Sequence, residues 1–198
     1  MQTIVSSATR TVIIGDGPTR LIGERINPTG RKALTAALVE GQLDIIRQEA
    51  IAQVEAGADI IDVNVGAAGV DEVALLPEAV RLVMTAVDAP ISIDTANPEA
   101  LRAALAVYEG RALVNSVNGK EKSLAEVLPL IAEYGASVIG LTMDDAGIPT
   151  DAARRLAIAR TIVERAESLG ISRDRVLIDC LAMTVGADSA AAAVTLEA

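Results

Sequence analysis

Short apolar runs recur along this chain, and each ends in a polar side chain. They are LIGERIN (21–27), IIDVNVG (60–66), ISIDTAN (91–97), ALVNSVNG (112–119) and VLIDC (176–180). Each run reads as a buried parallel strand whose last residues carry Asp, Asn or Glu. Polar groups at such positions are costly to bury without partners. Several strands closing in this way place one shared site above a parallel sheet.

Between the strands the pattern turns helical. Residues 1–20 read as an N-terminal extension, ahead of one domain over 21–198. Within the extension, TVIIG (11–15) is expected to form a strand, hairpinned to LIGE through the Asp16-Gly17-Pro18 turn signal. A helical stretch runs from Arg31 to Ala56 with a break near Gly41. A helix over 71–87 carries Val73, Leu76, Val80, Val83 and Val87 at helical spacing. Pro98 opens a helix to 108, a position where its missing N–H costs nothing. The helix over 121–134 stops at Gly135. Strand SVIGLTM (137–143) leads through DDAGIPT to a helix from Asp151 to Leu169, and residues 188–198 begin another.

Alternating βα units with near-continuous Val/Ile/Leu strands define an α/β fold around a parallel sheet. It closes either as an open doubly wound sheet or as a (β/α)8 TIM barrel. No Gly-x-Gly-x-x-Gly turn follows the first strand, which disfavours a dinucleotide site. Polar residues end nearly every strand, which a barrel mouth explains better than a single switch point. Six core strands are counted, where a barrel needs eight and typically ~250 residues. The expectation is a barrel truncated after about six strands.

Composition narrows the chemistry. Asp and Glu number 27 against 17 Lys and Arg, a net charge of −10. That balance argues against nucleic acid, whose binding rests on Lys and Arg, and against an anionic membrane surface. No apolar stretch approaches the ~20 residues that span a bilayer, and no signal-peptide order opens the chain. One cysteine, Cys180, excludes an internal disulfide framework, so the cytoplasm is the expected compartment. Histidine is absent, which removes Ser-His and Cys-His nucleophiles and the commonest zinc ligand. No transition-metal site is expected, while Mg²⁺ on carboxylates stays open. The aromatics are Tyr108 and Tyr134 alone, so a planar ligand must be held by its edge or by aliphatic walls.

The strand ends offer Glu24, Arg25 and Asn27; Asp62 and Asn64; Asp94 and Asn97; Asn115 and Asn118; and Asp179. Such a set can hold a hard cation, run acid–base chemistry, or read the N–H edge of a heterocycle. The last use is the most specific. A 2-amino-4-oxo-pyrimidine presents an amino group and a ring N–H side by side, and one ionised carboxylate accepts both. An Asn supplies a donor and an acceptor to neighbouring ring nitrogens.

GERIN, DVNVG, IDTAN, VNSVNG, IGLTM with its following GIP, and LID, in this order, resemble the pterin-binding methyltransferases. These move the methyl of 5-methyltetrahydrofolate to a corrinoid protein; the folate domain of cobalamin-dependent methionine synthase belongs with them. Dihydropteroate synthase is a more distant relative and the alternative enzyme reading. The resemblance covers about residues 20–185 and implies a (β/α)8 barrel with the pterin at its C-terminal mouth. It implies Asp94, Asn115 and Asp179 as the pterin-holding residues. Asp179 would take the amino/N3–H edge, Asn115 the opposite ring nitrogens and Asp94 the reduced-ring N–H side. It also implies 5-methyltetrahydrofolate as substrate, cobalamin carried by a corrinoid partner protein, and a homodimer.

Two departures stand out. The family's further Asn near N5 comes from a seventh strand that has no counterpart in these residues, so methyl activation by them is open. Relatives commonly carry Pro after the sixth-strand Asp, where this chain has Cys180. A pterin-binding fragment without catalysis is therefore the non-enzyme alternative.

The remaining candidates have a supporting or structural reading. Asp62 and Asn64 either orient the ring-binding layer or bridge strands. Glu24, Arg25 and Asn27 are read first as an internal salt bridge and loop anchor, with ligand contact second. Asn97 and Asn118 are read as cap or loop residues, and Cys180 as a small buried residue.

Overall fold

The computed structural model describes residues 1–183, 186 and 191–198. The chain opens with a hairpin, β1 (Thr3–Ser6) antiparallel to β2 (Thr11–Ile14). Six parallel strands follow: β3 (Ile22–Ile26), β4 (Ile60–Val63), β5 (Ile91–Asp94), β6 (Leu113–Asn118), β7 (Ser137–Leu141) and β8 (Val176–Asp179). Each pairs with its neighbours in sequence, so the strand order never reverses. That is barrel winding, and a doubly wound sheet with its switch point is excluded.

The helices are α1 (Lys32–Val39), α2 (Asp44–Glu55), α3 (Glu72–Ala86), α4 (Pro98–Val107), α5 (Glu121–Tyr134), α6 (Ala152–Ser168) and α7 (Ala191–Glu197). The stretch expected over 31–56 breaks into α1 and α2, with Gly41 at φ +69° between them. The caps follow the sequence. Asp71, Asn97 and Asp151 each accept a first-turn N–H, and Gly135 ends α5 in the left-handed region. Residues 188–190 of the expected last helix lie outside the described residues.

The period of two along each strand sorts the core into two faces. Ile61, Val63, Ile91, Ile93, Val114, Val138 and Val176 join the helices in the main core. Ile60 and Leu113 face the other way and pack with Val5 and Val12 of the hairpin. The hairpin therefore covers the sheet's N-terminal end. Tyr108 ties it down: its hydroxyl donates to Ser6 O at 2.8 Å and accepts the Ile91 N–H at 3.0 Å. Burial pushes this phenol up to about 12.

The pairing of β2 with β3 expected from the sequence does not form. β2 takes TIVS (3–6) as its partner through a Ser7–Arg10 turn, closed by Ser7 N–H donating to Arg10 O at 2.9 Å. β3 instead joins β4 in parallel. An antiparallel neighbour on β3 would leave the apolar side chains of β1 and β2 without the cluster of Ile60 and Leu113 beneath the sheet.

Candidate functional site

The residues of the inner face form rows across the sheet. The register aligns Asp62 with Ser92 and Ser92 with Leu113 in a lower row. Two residues higher, Asp94 aligns with Asn115, Asn115 with Ile139, and Ile139 with Leu177. A bulge between Asn115 and Val117 shifts the next row, where Asn118 meets Leu141 and Leu141 meets Asp179. Asp94 and Asn115 thus stand side by side at one level, and Asp179 one level above, beyond β7.

Two carboxylate–amide couples lock this layer. Asn64 donates Nδ2–H to Asp94 Oδ2 at 2.8 Å and accepts the Gly66 N–H on Oδ1 at 2.8 Å. Its orientation is fixed on both sides. Asn115, on β6, donates Nδ2–H across β5 to Asp62 Oδ1 on β4 at 3.3 Å. The curvature of the sheet makes that reach possible, since flat neighbouring strands lie ~4.8 Å apart. With these bonds made, Asn115 Oδ1 and Asp94 Oδ1 have no hydrogen-bond partner among the described residues.

Asp62 is 1% exposed, and its Oδ2 has no hydrogen-bond partner; neither has the buried Ser92 Oγ. Burial pushes the Asp62 carboxyl up to about 7. The charges of Asp94 and Glu24 push it the same way, while Ser92 and Asn115 oppose the rise. The Ser92 hydroxyl is near enough to exert that influence without a bond of ordinary geometry. Asp94 is also raised, first by burial and then by Glu24 and Glu72, against the Asn64 bond. The layer thus holds one carboxyl, Asp62, that titrates near neutral pH, beside a second, Asp94, raised from its ordinary value.

A cleft of about 500 Å³ opens over this layer, lined by Asp94, Thr95, Asn97, Asn115, Asn118 and Lys120 among others. Asp94 and Asn115 reach it from its floor. Asp179 does not line it. Asp179 is exposed at the end of β8, with Oδ1 accepting the Leu181 N–H at 2.7 Å and its carbonyl accepting from Thr142 N and Oγ1, both at 3.1 Å.

The supporting candidates divide. Asp62 and Asn64 both bridge strands, through Asn115 and Asp94. Glu24 accepts from Asn27 Nδ2 at 3.1 Å, and Asn27 Oδ1 anchors the loop through Thr29 N at 3.0 Å. The expected ion pair within GERIN is absent among the described contacts. Arg25 reaches Glu49 of α2 at 3.3 Å, because α2 packs against β3 and offers a carboxylate there. Asn97 caps α4, and Asn118 Oδ1 accepts the Lys120 N–H at 3.0 Å, as cap and loop residues.

Sequence reasoning missed Ser92, Thr95 and Glu72. Ser92 had a readable signal, two residues before Asp94 in an apolar strand and therefore on the same face. Thr95 is buried and donates its hydroxyl to Glu72 Oε1. That pairing joins β5 to the start of α3 and has no local sequence signature.

The layer can read the polar edge of a planar heterocycle and hold a proton beside it. Among the described residues no group of three His, Cys, Asp or Glu could hold a metal ion, and no helix is long and apolar enough to cross a membrane.

Known proteins share these features. Residues 23–196 match the family of pterin binding enzymes. Methylcorrinoid:tetrahydrofolate methyltransferase of Eubacterium limosum is 33% identical over 174 residues, 85% of this chain and 63% of that protein. Methionine synthase of Mycobacterium tuberculosis is 32% identical over 176 residues, 86% of this chain and 15% of that protein. The chain thus spans less than two thirds of the length of either relative. Among solved structures, a Xanthomonas albilineans dihydropteroate synthase in complex with indole-2-carboxylic acid and 6-chloroguanine matches with a TM-score of 0.69 at 24% identity. That match covers 98% of this chain and 70% of the other. The 7,8-dihydropteroate synthase of Vibrio fischeri ES114 matches with a TM-score of 0.67 at 18% identity, over 91% and 67%. These likenesses show the fold, a (β/α)8 barrel represented here by six of its strands. With nearly its whole length matched, the chain belongs to the family of pterin-binding enzymes.

Proposed function

We propose that this chain binds 5-methyltetrahydrofolate at the C-terminal ends of its strands and serves methyl transfer between N5 of the folate and the cobalt of a corrinoid protein. The observation that carries the reading is the level pair of Asp94 and Asn115 on the cleft floor, locked by Asn64 and Asp62. Asn115 meets the ring nitrogens opposite the amino edge, and Asp94 the reduced-ring N–H side. Asp179 takes the amino/N3–H edge from across β7, a span a bicyclic ring bridges. The Eubacterium limosum relative is named for the methylcorrinoid-to-folate direction; the reaction is the same equilibrium read from the other side.

The methyl sits on a tertiary amine, a poor leaving group until N5 gains positive character. The cobalamin cofactor of the partner supplies Co(I), a strong nucleophile, so no protein nucleophile is required. This chain's part is to bind and orient the ring and to hold a proton beneath it, a role the raised Asp62 carboxyl supports. A homodimer, which rests on the family resemblance, and a cytoplasmic setting, which rests on the lone cysteine, belong to the same proposal.

Dihydropteroate synthase chemistry is the weaker reading. It joins a pterin pyrophosphate to p-aminobenzoate and calls for a basic anion site. Here Lys120 and Lys122 share the cleft wall with Glu99 and Glu126. The test is to mix the chain with 5-methyltetrahydrofolate and Co(I) cobalamin and follow methylcobalamin by its absorbance. Formation above the protein-free rate supports methyl transfer. A chain that binds the folate and gives no product supports a binding fragment without catalysis.

A further inference from the structure

Arg155 is the largest fully buried side chain among the described residues, at 2% exposure on the first turns of α6. A buried guanidinium ordinarily sits opposite a carboxylate, because its desolvation must be offset. No salt bridge to Arg155 is found among the described residues. Among the described residues its Nε and Nη1 donate to neutral oxygens. Nε donates to Pro149 O at 3.0 Å. Nη1 donates to Cys180 O at 2.6 Å, Leu181 O at 3.1 Å and Thr195 Oγ1 at 3.1 Å. A full charge is thus spent on fixing the few residues that follow β8.

Those residues need fixing. Leu181 lies at φ +58°, the one positive-φ residue other than glycine among those described. A side chain with a Cβ avoids that region unless its surroundings impose it. Leu181 is held from both ends, its carbonyl by Arg155 and its N–H by Asp179 Oδ1 at 2.7 Å. The turn in turn sets the Asp179 carboxyl, which is exposed at the end of β8, the outer strand of the sheet among the described residues.

We infer that Arg155 is a positioning residue for Asp179, acting through Leu181 to aim that carboxyl over the mouth of the sheet. The inference rests on the reading of Asp179 as a pterin-holding group. It adds a residue that touches no ligand and belongs to no strand-end motif.

The test compares the parent chain with Arg155→Met, alone and combined with Asp179→Ala or Leu181→Gly. Circular dichroism establishes that each is folded. Amide exchange at Leu181 is read by NMR, and 5-methyltetrahydrofolate affinity by calorimetry. In Arg155→Met the Leu181 amide is expected to exchange at least ~10-fold faster, and affinity to fall about tenfold, the size of one lost charge-assisted contact. In the Asp179→Ala background Arg155→Met should cost no further affinity. Leu181→Gly should restore part of the loss, since glycine enters the left-handed region freely. If Arg155→Met fails to fold, Arg155→Lys keeps the charge but not the fork that spans these acceptors, and is read the same way. Unchanged protection of Leu181 in a folded Arg155 variant overturns the inference. So does an equal affinity loss with and without Asp179. Faster Leu181 exchange together with undiminished binding by Asp179→Ala supports the clamp and removes Asp179 from the ring-binding set.

Discussion

Asn115 crosses over β5 to donate its amide to Asp62 at 3.3 Å, the one hydrogen bond of ordinary geometry to that carboxylate among the described residues. The amide that faces the cleft and the buried acid beneath it are therefore one unit. Asn115→Ala should weaken 5-methyltetrahydrofolate binding by at least ~10-fold and also destabilise the free chain. The second effect, about 1–3 kcal/mol, comes from leaving a buried carboxyl unsatisfied. Calorimetry and urea unfolding read the two separately. Loss of affinity without loss of stability would show that Asp62 does not depend on Asn115.

Asp62 should make stability pH-dependent. Its folded value is about 7 against an ordinary aspartate value of 3.8. The folded state holds the proton more tightly, so this contribution is full below about pH 4 and is lost as pH rises through 7. At about 1.4 kcal/mol per unit, the shift bounds the effect at about 4 kcal/mol. Asp94 is raised and acts in the same direction. Asp62→Asn should flatten the fall in unfolding free energy between pH 5 and pH 8 and make the chain more stable than its parent at pH 8 (both pH values about two units apart from the Asp62 midpoint or less). Parallel profiles for the two chains would contradict this.

Tyr108→Phe should cost about 1–3 kcal/mol of stability, because it takes the hydroxyl partner from the Ile91 N–H and one of two donors from the Ser6 carbonyl, which keeps the Arg111 N–H. Folate affinity should not change, since the hydroxyl lies at the opposite end of the sheet from the cleft. A weakened affinity at unchanged stability would place the hairpin's influence at the mouth instead.

Gly119→Ala should destabilise by about 1–3 kcal/mol, the usual range for overpacking. A Cβ there would stand 2.7 Å from Ile158 Cγ2 and 3.0 Å from Met143 O. This glycine lets the end of β6 pass close under α6. Thermal unfolding checks it, and an unchanged midpoint would mean α6 has room to move.

Much of this was legible in the sequence, and the reasons are physical. Strands buried on both faces write continuous apolar runs, and helix caps are local, so β4 to β8 and the starts of α3, α4 and α6 could be read off. The site row was legible for a related reason: Asp94 and Asn115 interrupt apolar runs, and burial makes such interruptions costly. What failed depended on distant partners. β1 (TIVS) is a short alternating run whose role comes from packing under Ile60 and Leu113. Arg25 chose Glu49, 24 residues away. Arg155 looks in sequence like one of several arginines on α6, and only the folded chain buries it. Glu72 and Thr95 meet only because α3 begins where β5 ends.

The most direct test of the central claim is a calorimetric titration of the 198-residue chain with 5-methyltetrahydrofolate, with Asp94→Ala and Asn115→Ala alongside. Arg102→Ala, on an exposed ion pair with Glu133, serves as control. The account predicts saturable one-site binding by the parent and the control, weakened at least ~10-fold in both site variants. Equal affinity in all four chains would contradict it, because the level pair of Asp94 and Asn115 would then not be what holds the pterin.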